Sequence, residues 1–178
     1  MRTATRAAHG INTGCDSTKA ASQSQALWRF LNNDSVTPTA LIEPLQQAIR
    51  EGCVSSPAQF VLIMHDWCKL DYKRHASKKD VRQVTHEYDI GYDLTTSLAV
   101  EADQGFPLAP VAMHLRTDKC LHSTATAPPQ KSAPHLQQLA PTMDEIARLD
   151  LGRVPVHIID READSLGHFR DWTQKGHL

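Results

Sequence analysis

The sequence has no Cys-x-x-Cys pair, no long apolar run and no excess of one charge. Its four cysteines, Cys15, Cys53, Cys68 and Cys120, are far apart. Neither a zinc site nor a disulfide framework is indicated, and reduced thiols in a cytoplasmic protein fit best. FVLIM is the longest clear apolar stretch, well short of a membrane span. The amino end carries Arg2 and Arg6 but no apolar secretory segment. The expectation is a soluble, cytoplasmic protein with no membrane partner. His86-Glu87 opens a zinc-protease-like string, but Ile90 stands where the second histidine would be needed. A net charge of −1 over 178 residues does not make a nucleic-acid binder by composition.

What charge there is sits unevenly. Residues 69–82 hold six Lys or Arg against two Asp, and residues 1–30 hold four against Asp16 alone. Such runs are either phosphate-facing surfaces or solvated loops. A hydrophobic fraction of 40% is enough for a core. The pattern of apolar residues predicts a helix within residues 17–34, where Asn32-Asn33-Asp34 ends it. A second helix is expected from Thr37 as N-cap and Pro38 at its first position to a stop at Gly52, with Pro44 kinking it.

Beyond Ser55-Ser56-Pro57 the period shortens. QFVLIMHDW reads as a buried strand, EYDIGYDLTTSLAVEA as a long strand bent at Gly91, and PLAPVAMHLRT as its return, weakened by Pro110. Residues 118–134 read as irregular. Thr142 and Glu145 form a capping box that predicts a helix start at that point, closed by Gly152. VPVHIID is a fourth strand, and SLGHFRDWTQKG a last helix capped by Ser165 or Asp164. The order implies an α/β protein: a meander of three antiparallel strands, then a helix leading to a parallel fourth strand. The expected division is a helical region over 1–54 and a mixed sheet with flanking helices over 58–178.

Asp66 and Asp160 each end an apolar run. If those strands are parallel neighbours, both carboxylates emerge at the edge where open α/β sheets bind ligands. Two close carboxylates repel unless a cation lies between them, and oxygen ligands favour Mg²⁺ or Mn²⁺. A single strand-end Asp is more often a simple turn cap.

"HIIDREADS" and "IMHDWCKLDY" resemble the strand-and-acid motifs of bacterial cut-and-paste DDE transposases of the insertion-sequence-four (Tn-five-like) family. "TKAASQSQALWRFLNNDSVTP" is similar to that family's DNA-binding helices, with Trp28 where Tyr is usual, and "GYDLTTSLAVEADQGFPLAPVAMHL" to its core hairpin. The similar segments run in matching order from about Asn12 to Trp172. The resemblance implies a helical DNA-binding region over 1–54 and a partial ribonuclease H-like catalytic core over 58–178. Asp66 and Asp160 become the first two acids of a Mg²⁺-binding triad, and double-stranded transposon ends the partner. One metal would activate water or a 3′-hydroxyl while the other stabilises the leaving oxygen. Nothing matches the family's third acid, in its Tyr-Arg-Glu-Lys signature, nor its fifth strand and dimerisation region. The expectation is therefore a truncated, inactive fragment.

The DNA-contact candidates are Lys19 and Arg29 in the amino-terminal helices, Lys69, Lys73, Arg74, Lys78 and Lys79 after the first acid, and Arg161 beside the second. Exposure alone accounts equally well for the lysine run, and an ion pair with Glu162 or Asp164 for Arg161. His65 reads as a hydrogen-bonded structural histidine, and Trp28 and Phe30 as core. Two readings compete with the transposase-derived one. One is a non-catalytic protein that occupies transposon ends or pairs with full-length transposase and inhibits it. The other is an unrelated Mg²⁺-dependent phosphohydrolase.

Overall fold

The computed structural model describes residues 7–8, 11–12, 20–126, 128–160 and 165–177. The chain divides into two units, residues 1–37 and 38–178. In the first, Ala7–Ala8 (β1) and Ile11–Asn12 (β2) pair antiparallel, and Ala20–Leu31 forms α1. The end of α1 follows the sequence expectation, because the Asn32 side-chain amide donates to Trp28 O and stops the helix. Trp28 and Phe30 depart from it. Trp28 is 65% exposed and Phe30 also lies on the surface, so neither is core.

The second unit opens with α2, Pro38–Ser55. Ile42, Ile49 and Cys53 recur at helical spacing and are buried. The helix passes through Pro44 and continues beyond Gly52, where a stop was expected. Gly52 serves packing instead: a Cβ there would lie 2.6 Å from Leu108 Cδ2.

A mixed sheet follows, made of β3 (Phe60–Asp71), β4 (Arg82–Gln83), β5 (Ile90–Glu101), β6 (Pro107–Arg116), β7 (Leu121–Ser123) and β8 (Val154–Ile159). Its order is β7-β6-β5-β3-β8, with β4 pairing β5. Neighbours among β3, β5, β6 and β7 are antiparallel, and β8 runs parallel to β3. The topology is ribonuclease H-like in a generic sense.

β3 extends five residues past Asp66, pairing with β5 as far as Asp71 opposite Gly91. A Cβ at Gly91 would sit 1.8 Å from Leu70 O, so only glycine permits that close crossing. Pro110 is absorbed where the β5–β6 register shifts, and β6 continues beyond it. The irregular stretch contains an unforeseen strand, β7, and a bridge from Leu121 to Gln130.

The helix expected to start at Thr142 begins seven residues earlier. α3 spans His135–Arg148 with Pro134 at its N-cap position, and Pro141 lies inside it. Thr142 is therefore interior, and its hydroxyl donates to Gln138 O at 2.7 Å instead of capping an amide. Arg50 of α2 donates to the carbonyls of Leu149 and Asp150, satisfying the carboxyl end of α3. Leu166–Gln174 forms α4, with Ser165 at the N-cap position but making no side-chain cap bond.

Val61 and Ile63 of β3, Ala99 of β5 and Val111 of β6 pack with Ile49, Cys53 and Ile146 from α2 and α3. A second cluster, Leu139, Met143 and Trp172 against Trp67 and Ile159, seats α3 and α4 on β3 and β8. The alternate residues of the same strands, Phe60, Met64, Val154 and Ile158, are exposed on the other face. β8 is the last strand on its side among the described residues. Val154 donates its amide to Gln59 O, toward β3, so alternation points the nitrogen of Pro155 outward. A residue with no N–H thus lies on the free edge, where proline is tolerated.

Candidate functional site

The parallel pairing of β3 with β8 sets Ile63 opposite His157, Met64 opposite Ile158 and His65 opposite Ile159. One further step along both chains brings Asp66 and Asp160 to the same level. Adjacent strands are about 4.8 Å apart. Asp66 is not at a strand end as expected. It lies inside β3, paired with Thr96 of β5, while Asp160 directly follows β8. The longer strand arises because β5 still pairs β3 after β8 has ended. Both carboxylates are exposed, and Asp66 shares the face of Phe60 and Met64. The Trp67 amide donates to Asp66 Oδ1 at 2.8 Å.

The two carboxylates offer the hard oxygen donors that Mg²⁺ prefers. Among the described residues, however, no three or more His, Cys, Asp or Glu side chains gather to hold a metal ion. Glu162, Asp164 and Arg161 lie outside the described residues, as does Lys19.

The opposite face of the same two strands carries a buried histidine pair. His65 Nδ1 is 2.9 Å from Ser97 Oγ, and His65 Nε2 is 2.8 Å from His157 Nδ1. The rings are stacked with centroids 5.1 Å apart. Burial pushes His65 down to about 3, helped by the neighbouring His157 and His114. Burial also pushes His157 down to about 4, with His177 adding to the shift. Both rings are neutral at pH 7. His157 Nε2 is enclosed without a hydrogen-bond partner, and His177 bonds Asp144 of α3 at 3.0 Å. The structural role expected of His65 holds. Its partner is 92 residues away in sequence, and no local pattern could have indicated it.

The basic run divides in two. Lys69, expected in a loop, belongs to β3, where it donates to Thr85 Oγ1 and lies 3.8 Å from Asp89. Arg82 pairs with Asp93 at 3.1 Å, and Arg116 approaches the same carboxylate at 3.7 Å. Lys73, Arg74, Lys78 and Lys79 lie exposed in the loop between β3 and β4 and form no ion pair among the described residues. Lys79 Nζ donates to Ala76 O at 2.8 Å. Lys73 Nζ lies 5.0 Å over the ring of Tyr88, and Lys78 Nζ 5.5 Å over that of Tyr72. Sequence reading missed these aromatic partners, although the alternation of basic and tyrosyl residues was visible. Arg29 is exposed in the last turn of α1. No helix among the described residues is long and apolar enough to cross a membrane.

The register thus brings Asp66 and Asp160 to one level of the β3–β8 pair, and the loop that follows β3 exposes four cations that form no ion pair among the described residues. No protein-family model and no curated protein matches this chain.

Proposed function

We propose that this chain is a transposase-derived protein that binds double-stranded DNA and carries part of a DDE catalytic core without completing it. The observation that carries the reading is the parallel register of β3 and β8, which brings Asp66 level with Asp160, both of them exposed. Two-metal chemistry at a phosphodiester uses rigidly held carboxylates whose charges the divalent cations screen. The motifs quoted above, in their matching order, support the same reading, and the generic ribonuclease H-like topology agrees with it. In this reading residues 1–54 supply DNA-binding helices, with Lys19 and Arg29 as contacts, and residues 58–178 an incomplete ribonuclease H-like core. Arg161 stands beside the second acid as a further phosphate contact.

Binding would rest on Lys73, Arg74, Lys78 and Lys79, which are exposed and form no ion pair among the described residues. Lys69 is a weaker candidate, since Asp89 already faces it. Phosphate contacts of this kind supply affinity without reading sequence. The chain would then occupy transposon ends without cutting them, or act beside a full-length transposase. Mg²⁺ or Mn²⁺ would be held only where a third acid completes the triad.

The test is duplex binding across a salt series. Affinity should fall steeply and log-linearly with salt, with a slope that counts the phosphates neutralised. A salt-independent affinity, or no binding to any duplex at low salt, would remove the DNA-binding reading.

A further inference from the structure

Beyond Asp71 the end of the sheet sets aromatic rings beside its cations. Two connections meet there, the loop between β3 and β4 and the turn over residues 84–89 that joins β4 to β5. Backbone bonds hold both in shape. Tyr72 donates its amide to Ile90 O at 2.9 Å, His75 to Tyr72 O at 2.9 Å and Lys78 to His75 O at 3.0 Å. In the second turn, Val84 donates to Asp89 O at 2.8 Å and Asp89 to His86 O at 2.9 Å. Lys69 of β3 fastens that turn through Thr85 Oγ1.

All three tyrosines of the chain lie at this end, in different surroundings. Tyr92 is buried, and its hydroxyl donates to Asp80. Tyr72 is half-buried, edge to face with Tyr92 at 5.2 Å between centroids. Tyr88 is 67% exposed, with the Lys73 ammonium 5.0 Å from its ring centroid. A single aromatic ring at a surface is ordinary. Tyr88 differs because it is held on a fixed turn beside a loop whose four exposed cations form no ion pair among the described residues. A nucleic-acid strand offers an aromatic face and a phosphate in each nucleotide, and Tyr88 with Lys73 offers a counterpart to each. In a duplex every base face is covered by its neighbours, so only a base out of the stack can meet the ring.

We propose that this end of the sheet receives an unpaired DNA strand, with a base stacked on Tyr88 and the flanking phosphates on Lys73, Arg74, Lys78 and Lys79. The proposal rests on the DNA-binding reading and narrows it, since duplex contacts at these cations use charge alone, whereas an open base adds affinity. Tyr72 is a positioning residue: its half-buried ring lies 5.5 Å below the Lys78 ammonium and sets that cation in the loop.

The experiment measures the affinity of the full chain at low salt, by fluorescence anisotropy, for oligo(dT), for a strand of equal length whose sugars carry no bases, and for a duplex. The two single strands bear the same phosphates, so their difference reads the bases. Oligo(dT) should bind about 10-fold more tightly than the abasic strand, the scale of one stacked base. Tyr88→Ala and Tyr88→Leu should each abolish that preference while leaving abasic affinity unchanged, and Tyr88→Phe should retain it. Equal affinity for the two strands, a preference that survives in Tyr88→Ala, or an equal loss for both strands in that variant would overturn the stacking site and leave duplex binding standing. Failure to bind the single strands and the duplex alike would remove the DNA-binding reading and this proposal together.

Discussion

His65 Nε2 and His157 Nδ1 share a hydrogen bond of 2.8 Å between two parallel strands, behind the exposed face of β3 that carries Asp66. One ring must donate and the other accept, so the bond is lost once both rings are protonated. Ser97 extends it onto β5 at 2.9 Å. Three strands are thereby tied together by side chains as well as by their ladders.

Acid should loosen that tie. The unfolded chain titrates these rings near 6.5, whereas burial holds them at about 3 and about 4 in the fold. Between 6.5 and those values the unfolded state binds protons that the folded state refuses, so stability rises with pH across the window and falls on acidification. Each ring contributes up to about 1.4 kcal/mol per pH unit. Urea unfolding at pH 7.5, 6 and 5 should show this loss, and a His65→Gln, His157→Gln double variant should flatten it. An equally steep loss in the double variant would assign the acid sensitivity elsewhere.

Neutralising Lys73, Arg74, Lys78 and Lys79 to Gln together should weaken duplex binding for every sequence and reduce the salt slope by up to about four. The same change at Lys69 should matter less, because Asp89 lies 3.8 Å away. Fluorescence anisotropy with two unrelated duplexes reads both effects. Unchanged affinity in the fourfold variant would make the loop a solvated one.

Purified chain should not nick supercoiled DNA with Mg²⁺ or Mn²⁺, since two-metal displacement needs ligands for both ions. Agarose electrophoresis after prolonged incubation is the check. Metal-dependent nicking that disappears in the Asp160→Ala variant would show the acid set to be complete after all.

Gly91→Ala should destabilise the fold by roughly 2–4 kcal/mol, the cost of forcing an atom into closely packed structure. The clash is with backbone, Leu70 O at 1.8 Å, so no side chain can swing aside to relieve it. Thermal unfolding measures the loss, and a melting temperature equal to that of the parent would contradict the crossing geometry.

The sheet was legible where burial alternates. Val61 and Ile63 against Phe60 and Met64, and the apolar pattern of β8, declared their strands because one face is packed and the other open. The far half of β3 was not legible, since Lys69 and Asp71 look like loop residues until β5 is known to pair with them. The start of α3 was hidden by a coincidence of letters. Thr142 and Glu145 fit a capping box, but the helix already exists there and Thr142 turns its hydroxyl to Gln138 O and His114. Asp66 and Asp160 could be singled out as carboxylates after apolar runs. The histidine pair behind them could not, because partners on different strands leave no spacing to read.

Pro155 on the outer edge of β8 limits what can assemble there. An incoming strand would meet a carbonyl at 155 and amides only at His157 and Ile159, so a continuous zipper along all six residues is impossible. Fibre growth by stacking edge upon edge needs every rung of the ladder, and this edge is missing its first donor. The exposed Val154 and Ile158 can therefore remain at the surface without seeding an endless sheet.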